Sequence, residues 1–386
     1  MTATTEITIT GAQVEVYRHP VSHPVATSFG VMRDRPAVFL RLEAADGAFG
    51  WGEIFANWPA AGAEHRARLL IEDMGDLLKG QSFASPEAAF ESLTRATHIR
   101  ALQSGEWGPF RQVIAGIDTA LHDLVARRAG RPLRQMLSDS AADAVPAYAS
   151  GIAIRDAARM IPEARALGFQ RFKVKVGFDD EADRARLADC LDMLEGDEIL
   201  MMDANQAWDR TRALRFINAV ADPRIGWIEE PIPADAPEAD WQALREASEI
   251  PLAGGENLAG FDGFAEALAR RQFTFYQPDV AKWGGVTGCL RVARDVLGAG
   301  ATYCPHFLGG LIGLQASAEL LAAAGGPGWL EIDVNPNPLR GEDDWLAARM
   351  QAGDFLLSDG TGTASGLGLD SPCDGFGRMR TLTLTL

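Results

Sequence analysis

The stretch Trp227–Pro231 reads WIEEP, an apolar run that enters two adjacent acids and then a proline. This order is typical of a short buried strand that ends at a polar site, because proline cannot continue a sheet ladder. Two other apolar runs also end in acids: Ile199–Asp203 (ILMMD) and Pro251–Glu256 (PLAGGE). The acids Asp203, Glu229 and Glu256 are 26 and then 27 positions apart, which is roughly one strand–helix unit each. If the three acids lie at the same ends of successive parallel strands, their side chains are predicted to lie close together in space.

The same spacing extends over most of the chain after Pro132. Strand candidates are centred near residues 148, 174, 201, 228, 254, 277, 303 and 330, and amphipathic stretches such as Ala182–Leu194 and Phe264–Arg270 lie between them. Regular strand–helix units predict a parallel sheet, and eight of them predict closure into a (β/α)8 TIM-type barrel. The chemistry of such barrels lies at the carboxyl ends of the strands.

The first third of the chain and the last residues have a different pattern. Antiparallel strands are predicted at Ile7–Tyr17, Val38–Leu42 and Phe49–Gly52, and helices at Ala63–Leu78, Ser85–Ala96 and Val113–Ala129. Two segments lack periodicity, His19–Arg35 and Phe55–Gly62, and the first is predicted to be a mobile loop. The terminal TLTLTL is predicted to be a strand that returns to the N-terminal sheet.

Composition excludes several classes of function. The 386 residues carry a formal net charge of −17 without a basic block, so no nucleic-acid partner is predicted. An anionic substrate stays open, because a bound cation reverses the local potential. The four cysteines form no CxxC pair, which is typical of a reducing cytoplasm and argues against a zinc or disulfide framework. No signal peptide and no membrane span are predicted.

Acids, lysines and a histidine occupy the predicted strand ends. In chain order they are Lys173, Lys175, Asp203, Asn205, Glu229, Glu256, Asn257, Asp279, Lys282, His306 and Glu331. Three oxygen ligands with no histidine or cysteine nearby in the sequence favour Mg2+, or Mn2+ as a substitute, acting as a Lewis acid on a substrate carboxylate. The alternative to metal binding, for any one of these carboxylates, is that it simply ends a strand and is solvated by water or paired with a lysine.

Three of these positions suggest proton transfer. Lys173 and Lys175 project on one face of a strand, and inside a barrel their repulsion and burial are predicted to lower the lysine pKa; a solvated lysine pair is the alternative. His306 lies beside Asp279, which would fix the ring tautomer and leave one nitrogen free; the alternative is a structural histidine. Glu331, if protonated, is predicted to donate to a developing oxyanion, and otherwise to be a solvated strand end.

As a set, these motifs resemble the enolase superfamily and, within it, the mandelate racemase-like group of the mandelate racemase/muconate lactonizing enzyme family. The resemblance covers nearly the whole chain. The matching pieces are Lys173-Val-Lys175, Asp203-Ala-Asn205, Ile228-Glu229-Glu230-Pro231, Gly255-Glu256-Asn257, Asp279, Lys282-Trp283-Gly284-Gly285, His306 and Trp329-Leu330-Glu331.

The resemblance implies a role for each matching residue. It implies Mg2+ bound by Asp203, Glu229 and Glu256, chelating a carboxylate substrate so that the enolate is stabilised. Lys175 would be the base on one face, and His306, paired with Asp279, the acid or base on the other. Lys173 would support Lys175 and help to hold the carboxylate, and Glu331 would bond to the enolate oxygen. The supporting residues would be Asn205, Glu230, Asn257 and Lys282.

The resemblance also implies a domain plan. An α+β capping domain would comprise residues 1–130, followed by the barrel at 131–354 and a C-terminal segment at 355–386 that returns to the capping domain. The capping loops are expected to choose the substrate, and Phe55 and Trp58 suggest an apolar wall. Family habit suggests a cytoplasmic homo-oligomer.

Two reactions fit this set of residues. Dehydration of a hydroxy acid or sugar acid to a 2-keto-3-deoxy acid is favoured, and racemisation or epimerisation of a 2-hydroxy acid or an amino-acid derivative is the alternative. In the related cycloisomerase and dipeptide-epimerase group, the resemblance places a second catalytic lysine at the position that Asp279 fills here. Asp279 therefore favours the mandelate racemase-like pattern over that of muconate cycloisomerase. A non-catalytic metal-binding barrel is a third hypothesis, and the presence of every expected proton-transfer residue argues against it.

Overall fold

An antiparallel sheet backed by helices forms the first third of the chain. The computed structural model describes residues 6–28, 30–341, 344–358 and 365–386, without the side chains of residues 22–26. The elements here are β1 (Ile7–Thr27), β2 (Gly30–Ala44), β3 (Phe49–Ile54), α1 (Gly62–Arg68), β4 (Ser82–Phe83), α2 (Pro86–Ser104), α3 (Trp107–Arg128) and α4 (Leu133–Leu137). β1 pairs with β2 and β4, and β2 pairs with β3.

Helix α3 lies directly on β3 because glycines line their contact. A Cβ added to Gly52 would lie 2.0 Å from the carbonyl oxygen of Gly116, and one added to Gly50 would lie 2.0 Å from that of Ala120. Only the absence of side chains lets the strand and the helix approach so closely. This packing fixes the edge of the sheet from which Glu53 and Phe55 extend towards the rest of the molecule.

Eight parallel strands alternate with seven helices between residues 144 and 333. The order is β5 (Ala144–Ala153), α5 (Ala157–Ala166), β6 (Arg171–Lys175), α6 (Asp180–Asp192), β7 (Ile199–Asp203), α7 (Arg210–Val220), β8 (Ile225–Glu229), α8 (Glu238–Ala247), β9 (Leu252–Gly254), α9 (Phe261–Ala269), β10 (Phe275–Tyr276), α10 (Gly285–Gly298), β11 (Thr302–Tyr303), α11 (Leu311–Ala324) and β12 (Leu330–Asp333). Neighbouring strands pair in sequence from β5 to β11, and β12 pairs with β5. The predicted (β/α)8-type barrel is confirmed.

The barrel interior below the strand ends is filled by side chains. Its inner cluster consists of the fully buried residues Tyr148, Met201, Trp227, Ala253 and Cys304. The Trp227 ring stacks on Trp329 with centroids 5.3 Å apart. Because this layer is packed, polar side chains can gather only above it, at the carboxyl ends of the strands.

The chain returns to its first sheet at the C-terminus. The last elements are α12 (Trp345–Arg349), β13 (Met350–Gln351), β14 (Asp354–Leu356) and β15 (Arg380–Thr385). β14 pairs with the start of β5, whereas β15 pairs antiparallel with β1, with Leu384 opposite Val14. The capping domain therefore combines the N-terminal third with the C-terminal tail, as predicted, while the boundaries at residues 130 and 354 stay predictions.

Two buried acids of the capping domain bind the amino ends of barrel helices. Glu53 accepts hydrogen bonds from the amides of Gly310 (2.6 Å) and Gly313 (2.8 Å), where α11 begins. Asp118 on α3 accepts from the amide (2.9 Å) and the hydroxyl (2.6 Å) of Thr287, in the first turn of α10. Helix amino ends favour negative charge, but burial raises the pKa of Glu53 to about 7 and that of Asp118 to about 8.

The prediction of an irregular segment at His19–Arg35 is wrong. β1 extends to Thr27 and β2 starts at Gly30. Across the two strands His19 lies opposite Arg35 and Pro20 opposite Asp34. After a shift in register, pairing resumes with Val25 opposite Met32. Cross-strand pairing with a neighbour overrides the weak strand pattern of this stretch. Phe29, at the tip, lies outside the described residues. Phe55–Gly62 has no regular structure apart from its last residue, where α1 begins. No helix in the described ranges is long and apolar enough to cross a bilayer.

Candidate functional site

The predicted site residues come together at the carboxyl ends of the barrel strands. Lys173 and Lys175 lie on β6, and Asp203 and Glu229 are the last residues of β7 and β8. Glu256, Asp279 and His306 lie within three residues after the ends of β9, β10 and β11, and Glu331 lies on β12. All are almost fully buried except Lys175, Glu256 and His306, whose side chains are 16%, 12% and 11% exposed.

Each lysine of β6 is paired with a carboxylate of a neighbouring strand. Lys173 Nζ lies 2.7–2.8 Å from both oxygens of Glu229 and 2.7 Å from Glu331 Oε1. Lys175 Nζ donates to Asp203 Oδ2 at 2.5 Å. The two lysines share a face of the strand, as the sequence predicts, and the solvated lysine pair is ruled out by their burial.

The expectation of a lowered lysine pKa is wrong for this arrangement. Burial opposes the charged form of both lysines, but the facing carboxylates outweigh it, so the pKa of Lys173 and that of Lys175 are raised. For Lys175 the main opposing group is Asp203. The spacing of Lys173 and Lys175 in the sequence predicts the repulsion between them, which lowers their pKa. It does not reveal the acids on neighbouring strands, which raise it.

His306 is held between two carboxylates. Its Nδ1 lies 2.7 Å from Asp279 Oδ2, and its Nε2 lies 2.5 Å from Glu256 Oε2. Asp279 is fixed in turn by the backbone amides of Ala281 and Lys282. Burial opposes the imidazolium, but Glu256, Glu331 and Asp279 raise the pKa of His306 well above its usual range. The predicted Asp279–His306 contact is present.

Glu331 is buried and ionised, so neither the protonated donor nor the solvated strand end describes it. Burial favours its neutral form, but Lys173 and His306 bring its pKa down to about 2. Its Oε1 accepts from Ser150 Oγ at 2.5 Å, and its Oε2 accepts from the amide of Phe307 at 3.1 Å. In this charge state Glu331 is a hydrogen-bond acceptor and an anchor for Lys173.

A polar network surrounds Glu229 and Glu230. Glu230 leaves the strand with φ 37°, so strand alternation no longer sets the direction of its side chain. It accepts from Asn257 Nδ2 at 2.8 Å, and Asn257 Oδ1 accepts from Lys282 Nζ at 2.7 Å. Glu230 is therefore linked to Lys282 through Asn257. The backbone N–H of Asn205 donates to Asp203 Oδ1 at 2.8 Å.

The cavity above these residues has a volume of about 490 Å³ and a wall from each domain. Lys175, Glu256, His306 and Glu331 line its floor. The capping domain contributes Phe55 and Trp58, as predicted, together with Met32, Arg35, Asn57 and Gln112. The cavity thus has an apolar wall that carries a few polar groups.

The three acids fit a divalent cation by residue type and position. Asp203, Glu229 and Glu256 are oxygen donors on adjacent strands, and Asp203 and Glu229 both lie within 4 Å of Lys173 Nζ. However, no group of histidine, cysteine, aspartate or glutamate side chains in the described ranges is arranged to hold a metal ion. In this structure each acid is paired with a protein cation: Lys175, Lys173 and His306, respectively.

Several residues of the site escape prediction from the sequence. Arg35 lies in the segment taken for a loop, and Gln112 and Arg66 lie on helices with no polar motif. Ser150 lies on β5 and Gln277 directly after β10. Neither is at a strand end that the sequence predicts to carry a site residue. Asp333 was detectable, since it lies two residues after Glu331 and therefore faces the same side of β12.

Comparisons with known proteins agree with this architecture. Residues 154–371 match the family model described as "Enolase C-terminal domain-like", and residues 10–138 match the "Mandelate racemase / muconate lactonizing enzyme, N-terminal domain" model. A D-galactarolactone cycloisomerase from Agrobacterium fabrum is 27% identical over 86% of this chain and 84% of its own length.

Two solved structures are similar over almost their whole length. A mandelate racemase/muconate lactonizing enzyme from Bordetella bronchiseptica superimposes with a TM-score of 0.87 and 46% identity, covering 94% of this chain and 96% of that one. An L-talarate/galactarate dehydratase from Salmonella typhimurium, liganded with Mg and L-lyxarohydroxamate, has a TM-score of 0.83 and 26% identity, covering 100% and 96%.

Proposed function

Because the chain belongs to the mandelate racemase/muconate lactonizing enzyme family of the enolase superfamily, we propose that it is an enzyme that removes the α-proton of a hydroxy acid or sugar acid and eliminates the β-hydroxyl. The product would be a 2-keto-3-deoxy acid. The observation that supports the proposal is that Lys175 and His306, which is paired with Asp279, line one cavity from strands far apart in the barrel. β6 and β11 are separated by β12 and β5 on one side and by four strands on the other.

Three acids would hold the cofactor. Asp203, Glu229 and Glu256 would bind Mg2+, which would supply Lewis-acid polarisation of the substrate carboxylate. The dehydratase from Salmonella typhimurium, which contains Mg, supports this assignment. If these acids held Mg2+, Lys175 and His306 would lose the carboxylate contacts that raise their pKa, so that either could give up its proton and act as a base.

The chain's own residues would carry out the proton transfers. Lys175 Nζ or His306 Nε2 takes the proton from C2, and the electron pair of that bond forms the C2–C3 double bond as hydroxide leaves C3. His306 gives its proton to the departing hydroxyl, so that water is released. The resulting enol takes a proton at C3 and loses one from its C2 hydroxyl. Asp279 holds the ring of His306 with Nε2 towards the cavity throughout.

Racemisation or epimerisation is the second candidate, because bases on both faces also suit loss and return of one α-proton. The two reactions differ in their products. In D2O, a racemase places deuterium at C2 of the inverted isomer, whereas a dehydratase releases a 2-keto-3-deoxy acid.

Proton exchange in D2O tests the assignment of the bases. With Mg2+ and a library of acid sugars and hydroxy acids, we expect α-proton exchange that falls by at least about 100-fold in Lys175→Ala or His306→Asn, since each general acid–base group contributes about 10²–10⁴. Surface variants Lys79→Ala and His98→Asn are matched controls and should exchange like the parent. Exchange that survives in both Lys175→Ala and His306→Asn would contradict the proposal.

A further inference from the structure

The barrel strands fix Lys175 and His306 to different degrees. Lys175 lies within β6, which pairs with β5 on one side and with β7 on the other. His306 follows β11, which is only two residues long and lies at one end of the pairing order of the sheet, since β12 pairs with β5. The position of His306 therefore depends more on contacts made by the residues around it.

Two asparagine side chains hold the backbone just after His306. The carbonyl of Leu308 accepts from Asn57 Nδ2 at 2.6 Å, and the carbonyl of Gly309 accepts from Asn337 Nδ2 at 3.0 Å. Asn57 belongs to the capping domain and lines the cavity beside Leu308. The path from His306 to α11 is thus held in part by a residue of the other domain.

Glu53 of the capping domain holds the end of the same segment. Its side chain is 4% exposed, and its two oxygens accept from the amides of Gly310 (2.6 Å) and Gly313 (2.8 Å). A Cβ added to Gly309 would lie 2.7 Å from Glu53 Oε1, so a side chain there would push the carboxylate away. A carboxylate bound to two amides at the amino end of a helix is a strong anchor.

The strength of this anchor depends on the charge of Glu53. Burial raises its pKa to about 7; Asp279 also favours the neutral form, whereas Arg340 favours the charged form. Residues 311–318 of α11 contain no ionisable side chain. Above about pH 7 Glu53 is therefore ionised and accepts from both amides, and below this pH a proton occupies one oxygen and one of the two hydrogen bonds is lost.

We propose that Glu53, together with Asn57, is a positioning residue for His306: the two side chains hold residues 307–313 so that the imidazole stays at the floor of the cavity. The inference rests on the proposed function, in which His306 and Lys175 transfer protons on opposite faces of the substrate. Docking of the capping domain then sets the position of one proton-transfer group and leaves the other to the barrel. Glu53 acts through the backbone of α11.

Exchange of the α-proton in D2O separates a positioning role from a purely structural one. Two hydroxy acids that differ only in configuration at C2 present this proton to opposite faces. His306→Asn identifies the configuration whose exchange depends on His306, and Lys175→Ala identifies the one that depends on Lys175. Both are measured with Mg2+ at about pH 8, where Glu53 is ionised.

Glu53→Gln should affect the two configurations unequally. Glutamine keeps the size of the side chain but offers one acceptor oxygen instead of two. We expect the exchange that depends on His306 to fall at least about 10-fold, and the exchange that depends on Lys175 to fall less than about 3-fold, since a displacement of about 1 Å costs about 10²-fold. Asp118→Asn is the matched control, because Asp118 binds the amino end of α10 in the same way. It should leave both exchange rates close to those of the parent.

Backbone amide exchange, followed by mass spectrometry, measures the hold on the segment without a substrate. At about pH 8 the amides of residues 307–313 should exchange at least about 10-fold faster in Glu53→Gln than in the parent, because local opening breaks fewer hydrogen bonds to a charged group. The amides of β6 should be unchanged. At about pH 6 the difference should shrink, because Glu53 of the parent is then mostly protonated.

Each contrary outcome has its own meaning. An exchange that depends on His306 but falls less than about 3-fold in Glu53→Gln overturns the inference, also where only one configuration reacts. Equal losses for both configurations, or the same pattern in Asp118→Asn, overturn it because the role is then structural. If Glu53→Gln does not fold, Asn57→Ala, which removes the other contact from the capping domain, takes its place with the same expected pattern. If the parent exchanges no α-proton in any carboxylate, the proposed function fails, whereas unchanged amide exchange after His306 contradicts the inference alone.

Discussion

Two adjacent glutamates, Glu229 and Glu230, illustrate how position at a strand end divides similar residues into different roles. Glu229 is the last residue of β8 and faces into the barrel, where Lys173, Trp227 and Gln277 donate to it. Burial raises the pKa of Glu229 to about 7 despite the pull of Lys173 in the opposite direction. Glu230 turns away with a positive φ and bonds to Asn257.

The two glutamates should therefore respond differently to the same substitution. We expect Glu229→Gln to abolish measurable Mg2+ binding, because it would remove one of the three proposed charged ligands, and Glu230→Gln to weaken binding only about 10-fold, as is usual for residues that contact metal ligands from outside. Isothermal titration with Mg2+ measures both without reference to activity. Asp235→Asn, a residue of the loop after β8, is the control for a lost charge. Equal loss of Mg2+ binding in both glutamate variants would refute the asymmetry.

At the residue scale, the sequence identifies which side chains meet but not how they are charged. The shared face of Lys173 and Lys175 and the meeting of Asp279 with His306 follow from alternation and from the repeat. The lowered pKa expected for the lysines is wrong, and the condition that Glu331 be protonated is not met, because the charge of each depends on a partner in another strand. Arg35 was missed because its own segment shows no pattern.

At the scale of elements, Asp118 gives the contact between α3 and α10 a pH dependence. It is neutral in the folded protein up to about pH 8, because burial raises its pKa to about 8. In the unfolded chain it ionises near its ordinary value, about 3.9. The folded state thus binds one more proton between about pH 4 and pH 8, and the contribution of Asp118 to stability falls as pH rises through this window.

Asp118→Asn should remove that contribution. We expect the free energy of unfolding of the variant, relative to the parent, to rise by about 2 kcal/mol or more between pH 5 and pH 9, since each unit of pKa shift is worth about 1.4 kcal/mol. Urea unfolding across this range measures it. His122, which contacts Thr287 at 2.9 Å, has its pKa lowered to about 4 by burial and stays neutral throughout. A difference between the proteins that is constant with pH would show that Asp118 does not titrate there.

Elements with a strong repeat were predictable, and the long β1–β2 hairpin was not. The barrel strands lie where the spacing of 23 to 27 residues places them, since each must bury both faces and so reads as an apolar run. The outer part of β1 contains Pro20 and Pro24, and proline in a strand argues against a strand assignment. The outer part of β1 is a strand because it pairs with β2. The sequence of one segment does not reveal which other segment pairs with it.

At the scale of the whole molecule, the last strand closes the first sheet. β15 covers β1 along Gln13–Tyr17, and its Leu382 and Leu384 pack against the core. The prediction from the sequence was correct because an alternating strand without a place in the barrel needs another edge. Without β15, the backbone groups of β1 on that side would be unpaired, which is a template for association with other chains.

Deletion of residues 380–386 should therefore impair the capping domain more than the barrel. We expect the Tm to fall by about 1–3 °C, in line with a loss of about one to two kcal/mol in a protein of this size, and aggregation to become dependent on concentration. Differential scanning fluorimetry and light scattering measure these effects. Thr383→Ala, at an exposed position of β15, is the control. A truncated chain as stable and as monodisperse as the parent would show that the edge of β1 needs no cover.

The pairing of β15 with β1 also has a consequence for biosynthesis. Arg380, where β15 starts, follows Tyr17 of β1 by 363 positions, so at about 5–20 residues per second this edge waits roughly 20–70 s for cover. The barrel strands emerge in the interval and can assemble first. Nascent chains would then carry an exposed edge until β15 emerges, which makes that interval the period in which a chaperone would be most useful to this protein.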